Sequence, residues 1–177
     1  MGNEELIKNC LKGKPSAQKK LYDLYAPKLM AVCYRYANNH SEAQDMLQDG
    51  FVKIFEKLDK YSGLGSFEGW MRRIVVNTAL DSIRKNKKRL FHSDIDDVEY
   101  QLHGNDFIEE RLCADDLMKV LHSIPVGYRT VFNLYAIEGY SHKEIAEQLS
   151  INVSTSKSQY SRAKALLREK ITQLKLR

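Results

Sequence analysis

Apolar side chains recur at steps of three and four along most of the chain, and this period restricts the fold more than any other feature. Ala17, Leu21, Leu24, Tyr25, Leu29, Val32, Cys33 and Tyr36 form one such stripe. Ala43, Met46, Leu47, Gly50, Phe51, Ile54, Phe55 and Leu58 form a second. Each is the buried side of an amphipathic helix. The period of two that marks a half-buried strand is scarce. With 3 prolines and 9 glycines to interrupt helices, the chain is predicted to be all-α.

Turn formers mark the joints. Asn38-Asn39-His40 ends the first helix, and Ser41-Glu42-Ala43-Gln44 reads as a capping box that opens the next at Ser41 and carries it to about Leu58. Tyr61-Ser62-Gly63-Leu64-Gly65-Ser66 breaks the pattern before a long helix from Phe67 to about Arg89. That helix is expected to bury Phe67, Trp70, Met71, Ile74, Val75, Thr78, Leu80 and Ile83. Its other side carries Arg73, Asn77, Asp81, Arg84, Lys85 and Lys88. Further on, Leu117 to Ile124 suggests a short helix stopped by Pro125, and Tyr128 to Ile137 another stopped by Gly139. Ser141-His142-Lys143-Glu144 is a second capping box. A last helix, capped by Ser154 or Thr155, runs through Leu174.

The net charge of +5 conceals a division. Residues 1–90 sum to +7, residues 91–117 to −8 and residues 118–177 to +6. Two basic blocks therefore flank an acidic one, which suggests a polyanionic partner. The expected organisation is a helical domain over 1–90, a flexible acidic linker over 91–113 and a second helical domain over 114–177.

Several classes fall away. No apolar run is long enough to span a bilayer, so no membrane insertion is expected. The start, Met1-Gly2-Asn3-Glu4-Glu5, lacks the cationic and apolar parts of a signal peptide, so a cytoplasmic location is expected. Cys10, Cys33 and Cys113 read as reduced thiols, not as a disulfide framework. No Cys-x-x-Cys or His-x-x-x-His spacing supports zinc, and no metal or cofactor is expected. Gly63-Leu64-Gly65 lacks the strand and the Lys-Ser/Thr pair of a nucleotide loop. Asp94, Asp96 and Asp97 lack a calcium-loop glycine. The five histidines, at 40, 92, 103, 122 and 142, fall in the linker or at helix ends and form no catalytic constellation, so no catalytic residues are expected.

Residues 141–168 fit a helix-turn-helix: a short capped helix, a turn anchored by Ile151 and Val153, and a longer basic helix. Small Ala146 permits the helices to cross closely. The outer face of the second helix is expected to offer Thr155, Ser156, Lys157, Gln159, Tyr160, Ser161, Arg162 and Lys164. Lys157, Arg162 and Lys164 suit phosphates, and Gln159 and Arg162 suit base edges. A helical hairpin with a solvated basic face has the same spacing. Ser150 fills the turn position where glycine would be easiest. The helix from Phe67 suits single-stranded nucleic acid, with cations, an amide and nearby aromatics. Phe67 and Trp70 equally suit a core.

Together the two halves resemble bacterial sigma-70 factors of the extracytoplasmic-function (ECF) type. The string Ser41 to Phe55 is similar to the segment of region 2 that docks on the β′ coiled coil of RNA polymerase, which implies Asp45, Gln48, Asp49 and Phe51 as core-polymerase contacts. The string Gly65 to Asp81 resembles the segment that melts and reads the minus-ten promoter element. This implies a base-receiving loop at Tyr61 to Ser66, with Asn77 and Asp81 beside it, and the stripe of Arg73, Asn77, Asp81, Arg84 and Lys88 facing the minus-ten DNA. The string Tyr140 to Leu167 resembles the minus-thirty-five reader of region 4. The resemblance implies core RNA polymerase, through its β′ and β subunits, and promoter DNA, duplex and melted, as partners. It also implies a membrane-anchored anti-sigma factor. A conventional helix-turn-helix regulator that binds operator DNA without polymerase is the competing expectation.

Overall fold

A computed structural model describes residues 3–85 and 114–175, and all regular structure among the described residues is helical. The chain divides into two compact units, the first ending at Lys85. The domain boundary expected at residue 90, the linker expected over 91–113 and the contact residue Lys88 lie outside the described residues.

Unit 1 comprises α1 (Asn3–Leu11), α2 (Pro15–Tyr36), α3 (His40–Glu56), a 3-10 turn (Leu58–Lys60) and α4 (Phe67–Lys85). Helices α2, α3 and α4 each pack on the other two, and α1 packs on α2. Leu21, Leu29, Tyr36, Ile54, Met71, Val75, Val76 and Leu80 are the largest fully enclosed side chains of this core. The three-and-four period gathers them onto facing stripes. Leu24, placed in the α2 stripe by its spacing, is instead 53% exposed. Gly50 sits where α3 meets α4, and a Cβ there would lie 3.0 Å from Val75 Cγ2. Close approach of the two helices at that point requires glycine or a shift of Val75.

The α3 cap lies two residues earlier than expected. Asn39 is the cap, and its side chain accepts the Glu42 amide at 2.8 Å. The Glu42 carboxylate reaches back to the Asn38 amide, also at 2.8 Å. The reciprocal logic is that of a capping box, with Asn in place of Ser.

Unit 2 comprises α5 (Ala114–His122), α6 (Val126–Phe132) continued by a π-helical turn (Asn133–Ile137), α7 (His142–Leu149) and α8 (Val153–Lys175). Val120 and Leu121 of α5, and Ile124 just beyond it, pack with Ala163 and Leu167 of α8. Ile145, Ala146 and Leu149 are the buried side of α7. Here the expected capping box is present: Ser141 Oγ accepts the Glu144 amide, and Glu144 Oε2 accepts the Ser141 amide at 2.8 Å. Val153 is 41% exposed and opens α8, so it does not anchor the turn; Ile151 is half-buried.

Ser150 closes α7 in the left-handed conformation, φ 54° and ψ 48°. A residue with a Cβ is strained there by roughly 1–2 kcal/mol, whereas glycine is not. Part of that gain is offset by glycine's larger loss of entropy on folding. Ser150→Gly is therefore expected to stabilise unit 2 by about 0.5–1 kcal/mol. That corresponds to roughly 2–8 °C in melting temperature for a domain of this size. Thermal unfolding followed by circular dichroism checks it, and an unchanged or lower melting temperature contradicts it.

Candidate nucleic-acid interface

On α4 the polar face is built as the period requires. Arg73 is exposed, and Asn77, Asp81 and Arg84 follow at steps of three and four, half-buried. Asp81 is already engaged. Its Oδ2 accepts Lys53 Nζ at 2.9 Å and its Oδ1 accepts an Arg84 guanidinium N–H at 2.6 Å. Burial pushes the Asp81 carboxyl up, but the Lys53 hydrogen bond and the Lys53 and Arg84 charges outweigh it and hold the group below its ordinary value. Asn77 Oδ1 is enclosed and accepts no hydrogen bond.

The loop before α4 is organised by aromatics. The Tyr61 ring packs on Phe67 and Trp70, with centroids 4.9 and 5.5 Å away, and Phe67 and Trp70 stack at 5.7 Å and 14°. Tyr61 OH donates to the Gly65 carbonyl at 2.9 Å and ties the loop to its own base. Gly65 holds φ +80°, which a side chain would strain. Ser66 is exposed, and its Oγ accepts the Gly69 amide at 3.3 Å, so it caps α4 as well as facing solvent. Leu64 projects from the loop, 85% exposed. Phe67 is buried and Trp70 half-buried, so both belong to the bundle wall beneath the loop.

On α3, Asp45, Gln48 and Asp49 are exposed on one side, with Val52 beside them at 55% exposure. Phe51 does not join them. It is 3% exposed, and its ring packs against Tyr22 at 4.6 Å and Phe55 at 6.0 Å. Its place in the apolar stripe turns it into the core, so it is no surface contact.

In unit 2, Lys157, Arg162 and Lys164 are exposed on α8, and Thr155, Gln159 and Tyr160 are half-buried. Arg162 donates to Tyr128 OH at 3.2 Å, and Lys164 Nζ lies 4.9 Å from the Tyr160 ring centre. Ser156, expected on the outer face, is fully buried, with its Oγ 3.0 Å from His142 Nδ1. It pins α8 to the start of α7 and offers nothing to a ligand. His142 stacks on Tyr135 at 4.3 Å and 15°, and Tyr160 lies 4.5 Å from Tyr135. Burial first, and the Lys157 charge second, keep the His142 pKa below its usual value.

Two residues of these faces have no signal in the sequence, Lys53 and His142, because each is defined by a partner on another helix. Cys33 is buried and its thiol is pushed up to about 12 by burial, and burial raises Cys10 as well. Such thiols are poor nucleophiles. Among the described residues no group of three His, Cys, Asp or Glu side chains is placed to hold a metal. No described helix is long and apolar enough to cross a membrane.

The fold and these faces define a two-unit helical protein of the nucleic-acid-binding class, with a helix-turn-helix in its second unit. Comparison with known proteins refines the class. Residues 21–89 match Sigma-70 region 2, and residues 114–167 match Sigma-70, region 4. The chain belongs to the sigma-70 family, as an extracytoplasmic-function sigma factor. It is 28% identical to the ECF RNA polymerase sigma factor SigW of Bacillus subtilis, over 95% of this chain and 96% of that one. It is 26% identical to the ECF RNA polymerase sigma-E factor of Haemophilus influenzae, over 97% of this chain and 96% of the relative. Among solved structures, it shares its fold with the sigma factor RpoE from Bartonella quintana, crystallised in complex with the anti-sigma factor NepR. The TM-score is 0.53 and the identity 24%, covering 87% of this chain and 96% of that one.

Proposed function

We propose that the chain binds core RNA polymerase, directs it to a set of promoters and helps to open the minus-ten region. Asp45, Gln48 and Asp49 on α3 meet the β′ subunit. Tyr61, Ser66, Arg73, Asn77 and Arg84 line the path of the melted strand. Thr155, Lys157, Gln159, Tyr160, Arg162 and Lys164 meet the minus-thirty-five duplex. Residues 1–90 and 114–177 act as the two DNA-facing domains, and the acidic 91–113 tethers them and stays off the template. The polymerase supplies all chemistry, and the chain works in the cytoplasm. An anti-sigma factor, membrane-anchored in this reading, covers these faces until a signal releases them.

The observation that carries the reading is the division of one short chain into a region-2 unit and a region-4 unit. Each has an exposed polar face, and each has work only if polymerase and promoter are present together. Flipping a base out of a duplex costs a few kcal/mol, which a small helical unit offsets through a cationic groove and a shaped loop. The test is transcription in vitro with purified core enzyme on a promoter library. The expected result is specific initiation that requires the chain, with weak binding of promoter duplex by the chain alone. Tight operator binding without polymerase, or no association with core, would favour a conventional regulator instead.

A further inference from the structure

One charged cluster joins α3 and α4 of unit 1. Lys53 of α3 and Arg84 of α4 hold opposite oxygens of the Asp81 carboxylate, at 2.9 and 2.6 Å. The three side chains are 35%, 36% and 44% exposed, in the order Lys53, Arg84, Asp81. Ion pairs so open to water contribute little to stability, so holding the fold together does not account for the arrangement.

Its placement suggests another role. Gly50 lets α4 come close, with only 3.0 Å between a Cβ built there and Val75 Cγ2. Lys53 lies less than one turn beyond Gly50, so the close crossing carries its ammonium across to α4. It arrives at the end of the polar face that begins at Arg73 and continues through Asn77. The trio holds two cations and one anion, which leaves it net positive. A lone carboxylate on a DNA-facing surface would repel phosphates. Clamped between two cations, it instead fixes them in register. The carboxyl is ionised at neutral pH in any case, and the two cations beside it hold its pKa below the ordinary value, so the clamp extends to lower pH.

We infer that Lys53 is a promoter-phosphate contact of unit 1, and that Asp81 is the positioning residue that holds it, not a reader of bases. The inference rests on the promoter-binding function proposed above. It differs from the expectation drawn from the sequence, which set Asp81 against DNA directly and gave Lys53 no part.

The full chain with core polymerase is tested on a template whose minus-ten region is already open, with affinity measured between 50 and 200 mM salt. Removing one phosphate-binding cation flattens the plot of log K against log salt by about 0.7–0.9. K53Q is expected to show that flattening, so its deficit against wild type shrinks about three-fold over the salt range. D81N is expected to flatten the plot too, and to do less in the K53Q background, where one of its two cations is already gone. Melting curves run alongside. K53Q leaves the Asp81–Arg84 pair intact, so it carries the test even if D81N folds poorly. A wild-type slope in K53Q, with the wild-type complex forming normally, overturns the inference alone. An equal effect of D81N in both backgrounds overturns the role of Asp81. A wild-type chain that forms no polymerase-dependent complex overturns the inference together with the function it rests on.

Discussion

Reversing the charge of Asp45 and Asp49 together, as D45K/D49K, is expected to weaken binding to core RNA polymerase by at least about thirty-fold. That is roughly 2 kcal/mol, the size of an interface hot spot. Both carboxylates are exposed and four residues apart on α3, so they form one negative stripe. Like charges at that spacing cost an isolated helix about 0.2–0.5 kcal/mol. Two lysines would repel each other in the same way, so the double change leaves the balance within the helix almost untouched. Surface changes of this kind move stability by no more than about 0.5 kcal/mol. A loss of affinity can therefore be attributed to the interface and not to folding. Fluorescence titration of labelled core enzyme, with a melting curve as control, checks it. Unchanged affinity would remove α3 from the polymerase interface.

The fate of Phe51 shows how much of this was legible in the sequence. Its place in the stripe with Leu47, Gly50 and Ile54 already assigned it to the core. The resemblance to a docking segment assigned it to a surface, and the period was the better guide. Ser156 is the converse case. It stands seven residues before buried Ala163, at a core position of α8, but its hydroxyl suggested the outside. The hydroxyl is satisfied by His142, 14 residues earlier, and no local pattern announces that bond. The start of α3 is ambiguous in the sequence because Asn39 and Ser41 both suit a cap, and only the reach of Glu42 back to Asn38 decides between them. Helix identity and facing depend on local spacing and were readable. The Lys53–Asp81 bridge spans 28 positions and depends on the crossing at Gly50, which no one-dimensional period encodes.

Ile145→Ala is expected to destabilise unit 2 by about 2–5 kcal/mol, the usual range for emptying a fully buried aliphatic site. Ile145 is fully buried on the inner side of α7, next to Ala146, whose small side chain is also buried. Ala146 is too short to fill the space. The described part of unit 2 runs only from residue 114 to 175, and a core of that size supplies about 3–5 kcal/mol of net stability. The loss is thus comparable to the whole margin. The helix-turn-helix would be substantially unfolded at 37 °C, and minus-thirty-five recognition would go with it. Hydrogen exchange read by mass spectrometry locates the effect. Amides in 114–175 are expected to lose protection, with those in 3–85 as the internal reference. A loss below about 1 kcal/mol would mean that α7 closes onto the cavity, and that the contact of His142 with Ser156, not the aliphatic core, holds the two helices of the reader together.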